Sequence, residues 1–232
     1  KQDMDSLELF IQQFTASQSR TFDFQMHLMI IADSKEEPRP EVKTVKVAMG
    51  KKEDLESFAQ KVLDDYGHVD VLINNAGGAL QIPKGEFDDM PLDYWDSQVN
   101  LNLNAAAYCS HAAVKNMKEN KIPGRIVNIS SIHATITWVK RKMLPYSAAK
   151  GGLEMFTKAL GVEVAKYGIR VNCVAPGPTQ TGWIDEDFEK VVVPLIPMGK
   201  LIQPEDIAET ILFLASEQAR MITGHVIKVS GG

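Results

Sequence analysis

Cysteine is scarce in this chain, with Cys109 and Cys173 the only two among 232 residues. Two are too few to staple a domain of this size, and neither stands in a metal-ligand spacing, which argues against a disulfide scaffold and against a metal site. Both fall in apolar stretches, the usual setting of a reduced buried thiol, and together they point to a reducing compartment. Basic charge is also in short supply. Thirty acidic residues outweigh 25 basic ones for a net charge of −5, leaving no electrostatic case for nucleic acid or an anionic membrane. The compact basic run Lys140-Arg141-Lys142 reads as a solvated loop. Long hydrophobic runs are missing too: the uncharged stretch 98–114 holds Asn100, Asn102, Asn104, Ser110 and His111, so it is not a membrane span. The opening Lys1-Gln2-Asp3-Met4-Asp5 has neither the basic start nor the apolar run of a secretory leader. The expected location is the cytoplasm.

What is present is an alternation. No repeat, low-complexity tract or Pro/Gly/Ser linker divides the chain, and one domain over 1–232 is expected, its first 50 residues divergent. Apolar runs of strand length at 27–32, 44–48, 69–73, 124–129, 169–174 and 226–229 are separated by segments of helical period. Residues 54–66 place Leu55, Phe58, Ala59, Val62 and Leu63 on one face, and Gly67 follows as a stop. Further helices are expected from about 91 to 118, from 146 to 167 and from Pro204 to 214. Strands apolar on both faces, alternating with helices, predict an α/β fold: a doubly wound, Rossmann-like, mostly parallel sheet with helices on both faces and an atypical N-terminal unit. Ligands bind such sheets beyond the carboxyl ends of the strands, so the residues just after each strand carry the functional information.

Four such places stand out. Asn74-Asn75-Ala76-Gly77 follows the third run, where small residues admit close backbone approach and Asn side chains can tie the loop to neighbouring strands. Ser130 and Ser131 follow the fourth run, and Ala175-Pro176-Gly177-Pro178-Thr179 follows the fifth as a rigid turn. The last is Tyr146-Ser147-Ala148-Ala149-Lys150, whose first and last residues lie one turn apart on a helix. An ammonium near a phenol favours the phenolate, so Lys150 is expected to lower the Tyr146 pKa and create an acid/base for a carbonyl or alcohol oxygen.

In this order, the motifs resemble those of the short-chain dehydrogenase/reductase family. The likeness runs from about Leu55 to Gly232 and includes Gly124 to Ser131, Arg170 to Gly177 and the tail Ile222 to Gly232. It implies an NAD(P)-dependent oxidoreductase acting on a ketone or secondary alcohol, with Tyr146 as proton donor or acceptor, Lys150 on the nicotinamide ribose, Ser131 on the substrate oxygen and Asn102 anchoring a proton relay. Asn75, Ala76, Gly77, Pro176, Gly177, Thr179 and Thr181 would line the cofactor. Asp33, just after the 27–32 run, which stands as the family's second strand if 7–11 is the first, leans towards NAD, while Lys35 nearby suits a 2′-phosphate. His133, Trp138, Met143 and Trp183 lie on segments that line the substrate pocket in the family, and its packing helices imply a homodimer or homotetramer. One family feature is missing: the glycine-rich phosphate loop that follows the first strand, since Gly50 is the first glycine. Two readings of this stay open, an altered phosphate site or an N-terminal stretch that does not represent the native protein. A catalytically silent binding or scaffold subunit is the corresponding alternative function.

Overall fold

The structure, a computed structural model, describes residues 47–49, 51–79, 85–137, 143–181 and 184–232. The strand candidate at 27–32 and most of the one at 44–48 lie outside these; Val47 and Ala48 are irregular. The first described helix, α1 (Lys52–Tyr66), buries Leu55, Phe58 and Val62, the face its apolar period marks. Gly67 ends it at φ 79°, its N–H donating to the Leu63 carbonyl, a left-handed cap that a side chain would strain.

Among the described residues four parallel strands follow in chain order across the sheet: β1 (Val71–Asn74), β2 (Arg125–Ile129), β3 (Arg170–Pro176) and β4 (Val226–Val229). Every described strand therefore presents its carboxyl end at the same edge. Alternate residues feed two cores. Leu72, Ile126 and Val171 pack with α1, with α3 (Ala105–Glu119) and with the end of α4 (Leu144–Val164). On the opposite face Val127, Ile129 and Val174 pack with Ile207, Ile211 and Leu214 of α6 (Pro204–Ala215). Helices thus cover both faces of a parallel sheet, the arrangement that β3, buried along nearly its whole length, requires. No described helix is long and apolar enough to cross a membrane.

One expected element is different. The single helix anticipated over 91–118 is split into α2 (Leu92–Val99) and α3 by a π-helical turn at Asn100–Asn104. The Ala105 N–H donates to the Asn100 carbonyl, five residues back. Asn102 sits in the middle of this widened turn, a distortion that recurs at functional sites. A short helix, α5 (Glu186–Val192), is capped by the Asp185 carboxylate, which accepts from the Phe188 N–H at 2.8 Å.

Candidate active site

The site is built at the carboxyl edge of β1, β2 and β3. In the loop leaving β1, Asn75 is exposed and Ala76 packs against the first core. Gly77 leaves no space for a side chain: a Cβ there would lie 2.7 Å from Asn102 Oδ1 and 3.0 Å from Lys150 Nζ. The next residue is clamped from both sides. The Gly78 N–H donates to Asn102 Oδ1 at 2.8 Å, and its carbonyl accepts from Asn102 Nδ2 at 3.1 Å. The same amide also donates to the Gln98 carbonyl at 3.0 Å, one turn back along the helix.

Where β2 ends, the Ile129 carbonyl accepts a 2.6 Å hydrogen bond from Lys150 Nζ. Ser131, in extended backbone, caps the short 3-10 turn Ile132–Ala134 by accepting from the His133 N–H at 3.2 Å. The His133 ring meets Tyr146 edge-on, centroids 6.2 Å apart. On α4, Pro145 takes a first-turn position where its missing N–H costs nothing, and Met143 is buried just before the helix. Tyr146 and Lys150 follow one turn apart, the first half-buried and the second 3% exposed.

Burial sets the protonation of both. Removing its ammonium from water pushes Lys150 down to about 8. Burial likewise raises Tyr146, and a hydrogen bond from the Ser131 side chain acts in the opposite direction. The net direction is therefore upward, against the expectation of a lowered phenol: the Lys150 ammonium lies 5.8 Å from the Tyr146 ring centroid with one proton on the Ile129 carbonyl, and desolvation of the phenolate prevails.

The turn after β3 comes to the same edge. Gly177 donates its N–H to the Val229 carbonyl, and a Cβ on it would lie 2.9 Å from Ser230 Cα, so glycine here serves close packing against the strand end. Thr179 donates its hydroxyl to the Gly177 carbonyl at 2.9 Å and bridges to Ile202; the Thr181 carbonyl accepts from the Ile184 N–H. Asn102, Ser131, Tyr146 and Lys150 thus meet in one place, with His133 on Tyr146. Asp33, Trp138 and Trp183 lie outside the described residues, as does the loop in which the missing glycines would stand.

Beneath the site runs a buried polar network that the motifs did not announce. Asn74 and Asn128 are register partners on β1 and β2, joined by a 2.8 Å amide–amide hydrogen bond. Asn74 also donates to Ser110 Oγ, and Asn128 donates to Thr157 Oγ1 on α4. Ser130 and Glu154 add a second tie between β2 and α4. The signal was available in part, since Asn74 opens a motif whose amide side chains can tie it to neighbouring strands.

The chain is similar to known proteins along most of its length. Residues 26–232 match a family model described as enoyl-(acyl carrier protein) reductase. The chain is 41% identical over 192 residues to (2S)-[(R)-hydroxy(phenyl)methyl]succinyl-CoA dehydrogenase subunit BbsD of Thauera aromatica, covering 79% of this chain and 73% of that protein. It is 42% identical over 179 residues to acetoacetyl-CoA reductase of Shinella zoogloeoides, covering 74% and 70%. Among solved structures, 7α-hydroxysteroid dehydrogenase complexed with NADH and 7-oxo glycochenodeoxycholic acid superposes with a TM-score of 0.73 at 29% identity, over 81% of this chain and 72% of that one.

Proposed function

Since this chain belongs to the short-chain dehydrogenase/reductase family and is an oxidoreductase of alcohol and carbonyl groups, we propose that it moves hydride between NAD or NADP and a ketone or secondary alcohol, with Tyr146 handling the proton. The observation that carries this is the meeting of Ser131, Tyr146 and Lys150 at the carboxyl edge of the sheet, directly against Gly77.

The residues present fit such a dinucleotide. Gly77 brings side-chain-free backbone up against Asn102 and Lys150, and the Lys150 ammonium has three N–H donors, of which Ile129 takes one. Asn75, Ala76, Gly77 and Lys150 would hold the nicotinamide riboside, and Pro176, Gly177, Thr179 and Thr181 the carboxamide and phosphates. When bound, the cofactor supplies or accepts the hydride. The chain supplies the rest. Tyr146, held protonated by burial, gives its proton to the carbonyl oxygen in reduction and recovers it from the alcohol in oxidation. Ser131 directs a hydroxyl at the same oxygen. Lys150 brings a buried positive charge that favours the phenolate left behind, and Asn102 holds Gly78, the residue after the Gly77 that borders Lys150. His133 and Met143 would border the substrate. A homodimer or homotetramer and a cytoplasmic location belong to the same proposal, the latter supported by two buried free thiols.

Titrating the protein with NADH and NADPH by fluorescence, then assaying turnover of acetoacetyl-CoA and a ketosteroid, tests this reading. Tyr146→Phe should lower kcat by about a thousandfold while leaving dinucleotide affinity intact. A variant that keeps most of the activity overturns the role of Tyr146. Absence of any dinucleotide binding returns the chain to the silent-subunit reading.

A further inference from the structure

Ser130 and Glu154 take no part in the proton handling described above, yet both are buried in the middle of the site's framework. Ser130 is the residue between Ile129, whose carbonyl holds the Lys150 ammonium, and Ser131, whose hydroxyl meets Tyr146. Its N–H donates to the Val174 carbonyl on β3 at 2.8 Å. Its hydroxyl faces α4, 3.1 Å from the Lys150 carbonyl and 3.2 Å from Glu154 Oε1. Glu154 lies one turn beyond Lys150 on the same helix and is 9% exposed. A carboxyl so far from water is costly without a partner, and Ser130 is the one hydrogen-bonded to it among the described residues.

We propose that Ser130 and Glu154 are positioning residues: their hydrogen bond locks the end of β2 to the Lys150–Glu154 turn of α4 and thereby fixes Ser131 against Tyr146 and the Ile129 carbonyl against Lys150. The lock crosses the one junction that matters, because Ser131 comes from the strand side and Tyr146 and Lys150 come from the helix side. Neither Ser130 nor Glu154 touches the reacting atoms. A serine hydroxyl has a single proton, so it cannot donate to the Lys150 carbonyl and to a carboxylate at once. A side chain that can donate at position 154 lets Ser130 donate onward to the Lys150 carbonyl, so Gln satisfies the same geometry without the charge.

The catalytic part of this inference rests on the oxidoreductase reading, whereas its structural part can be tested on the cofactor-free protein. Hydrogen exchange followed by mass spectrometry should show residues 129–134 and 144–154 exchanging about tenfold faster in Ser130→Ala and Glu154→Ala, with β4 and α6 unchanged. In turnover, both variants should lose about tenfold or more in kcat while KM and NADH affinity stay within about twofold, and Glu154→Gln should restore most of the loss. Unchanged exchange in those two segments overturns the lock. Folded Ser130→Ala and Glu154→Ala proteins with wild-type kcat overturn the positioning role even if exchange quickens. If the wild type turns over nothing, the oxidoreductase reading fails, and the exchange result alone decides for or against the lock.

Discussion

At the scale of single residues, the site stores a cost in Lys150. Its folded pKa, about 8, lies below the 10.5 of a free lysine because burial disfavours the ammonium. The unfolded chain therefore binds more protons than the folded one between these values, and stability rises with pH across that window. Below pH 8 the full penalty applies, on the order of 3 kcal/mol. Replacing the residue by methionine, Lys150→Met, should raise the melting temperature at pH 7 and flatten the rise between pH 8 and 10 seen for the wild type in thermal melts. Activity should fall at the same time, a trade that marks a functional rather than a structural lysine. Gly77 is constrained for a different reason. Its added methyl in Gly77→Ala would press on Asn102 Oδ1 and Lys150 Nζ, so that variant should unfold about 1–3 kcal/mol more easily in urea and lose turnover together.

At the scale of elements, the π-helical turn and the long helix α4 decide where side chains meet. The turn at Asn100–Asn104 makes room for Asn102 to serve Gly78 with both ends of its amide. An Asn102→Leu change keeps the branched heavy-atom outline and removes both bonds to Gly78, and should lower kcat by about tenfold or more with a smaller effect on melting. Helix α4 approaches the rest of the fold closely at Gly161, where a Cβ would lie 2.7 Å from the Gly224 nitrogen and 2.9 Å from its Cα. The obstacle is backbone, so Gly161→Ala should push the helix outward and cost about 1–3 kcal/mol in chemical denaturation despite alanine's better helix propensity. The sequence showed α1, the strands and the Tyr146/Lys150 face clearly because each rests on local periodicity or an i, i+4 spacing. It did not show the π-turn, whose extra residue leaves no mark in a polar stretch, nor the sign of the Tyr146 shift. That sign depends on where the Lys150 ammonium and the Ser131 hydroxyl end up in three dimensions. The Ser130–Glu154 tie joins residues 24 positions apart and was equally hidden.

At the scale of the whole molecule, two exposed apolar side chains on α4, Met155 and Val162, stand two turns apart on one face at 63% and 79% exposure. Subunit association through this face is expected to bury them. Sedimentation should find an oligomer for the wild type and a smaller species for Val162→Glu, with the melting temperature falling in step. Far from that face, Arg170 closes the last turn of α6 by donating to the Leu214 and Ser216 carbonyls, joining the amino end of β3 to the helix that covers the opposite sheet face. The buried amide pair Asn74–Asn128 has a consequence for folding fidelity. Parallel strands of Val, Ile and Leu can slide past one another with little loss of apolar contact, and a slip of one residue would turn every side chain to the wrong face. Only one alignment lets these two amides meet, and any other breaks their hydrogen bond inside the core. The pair therefore acts as a key that selects one alignment of the sheet, and a chain refolding without it would err in register before it erred in stability.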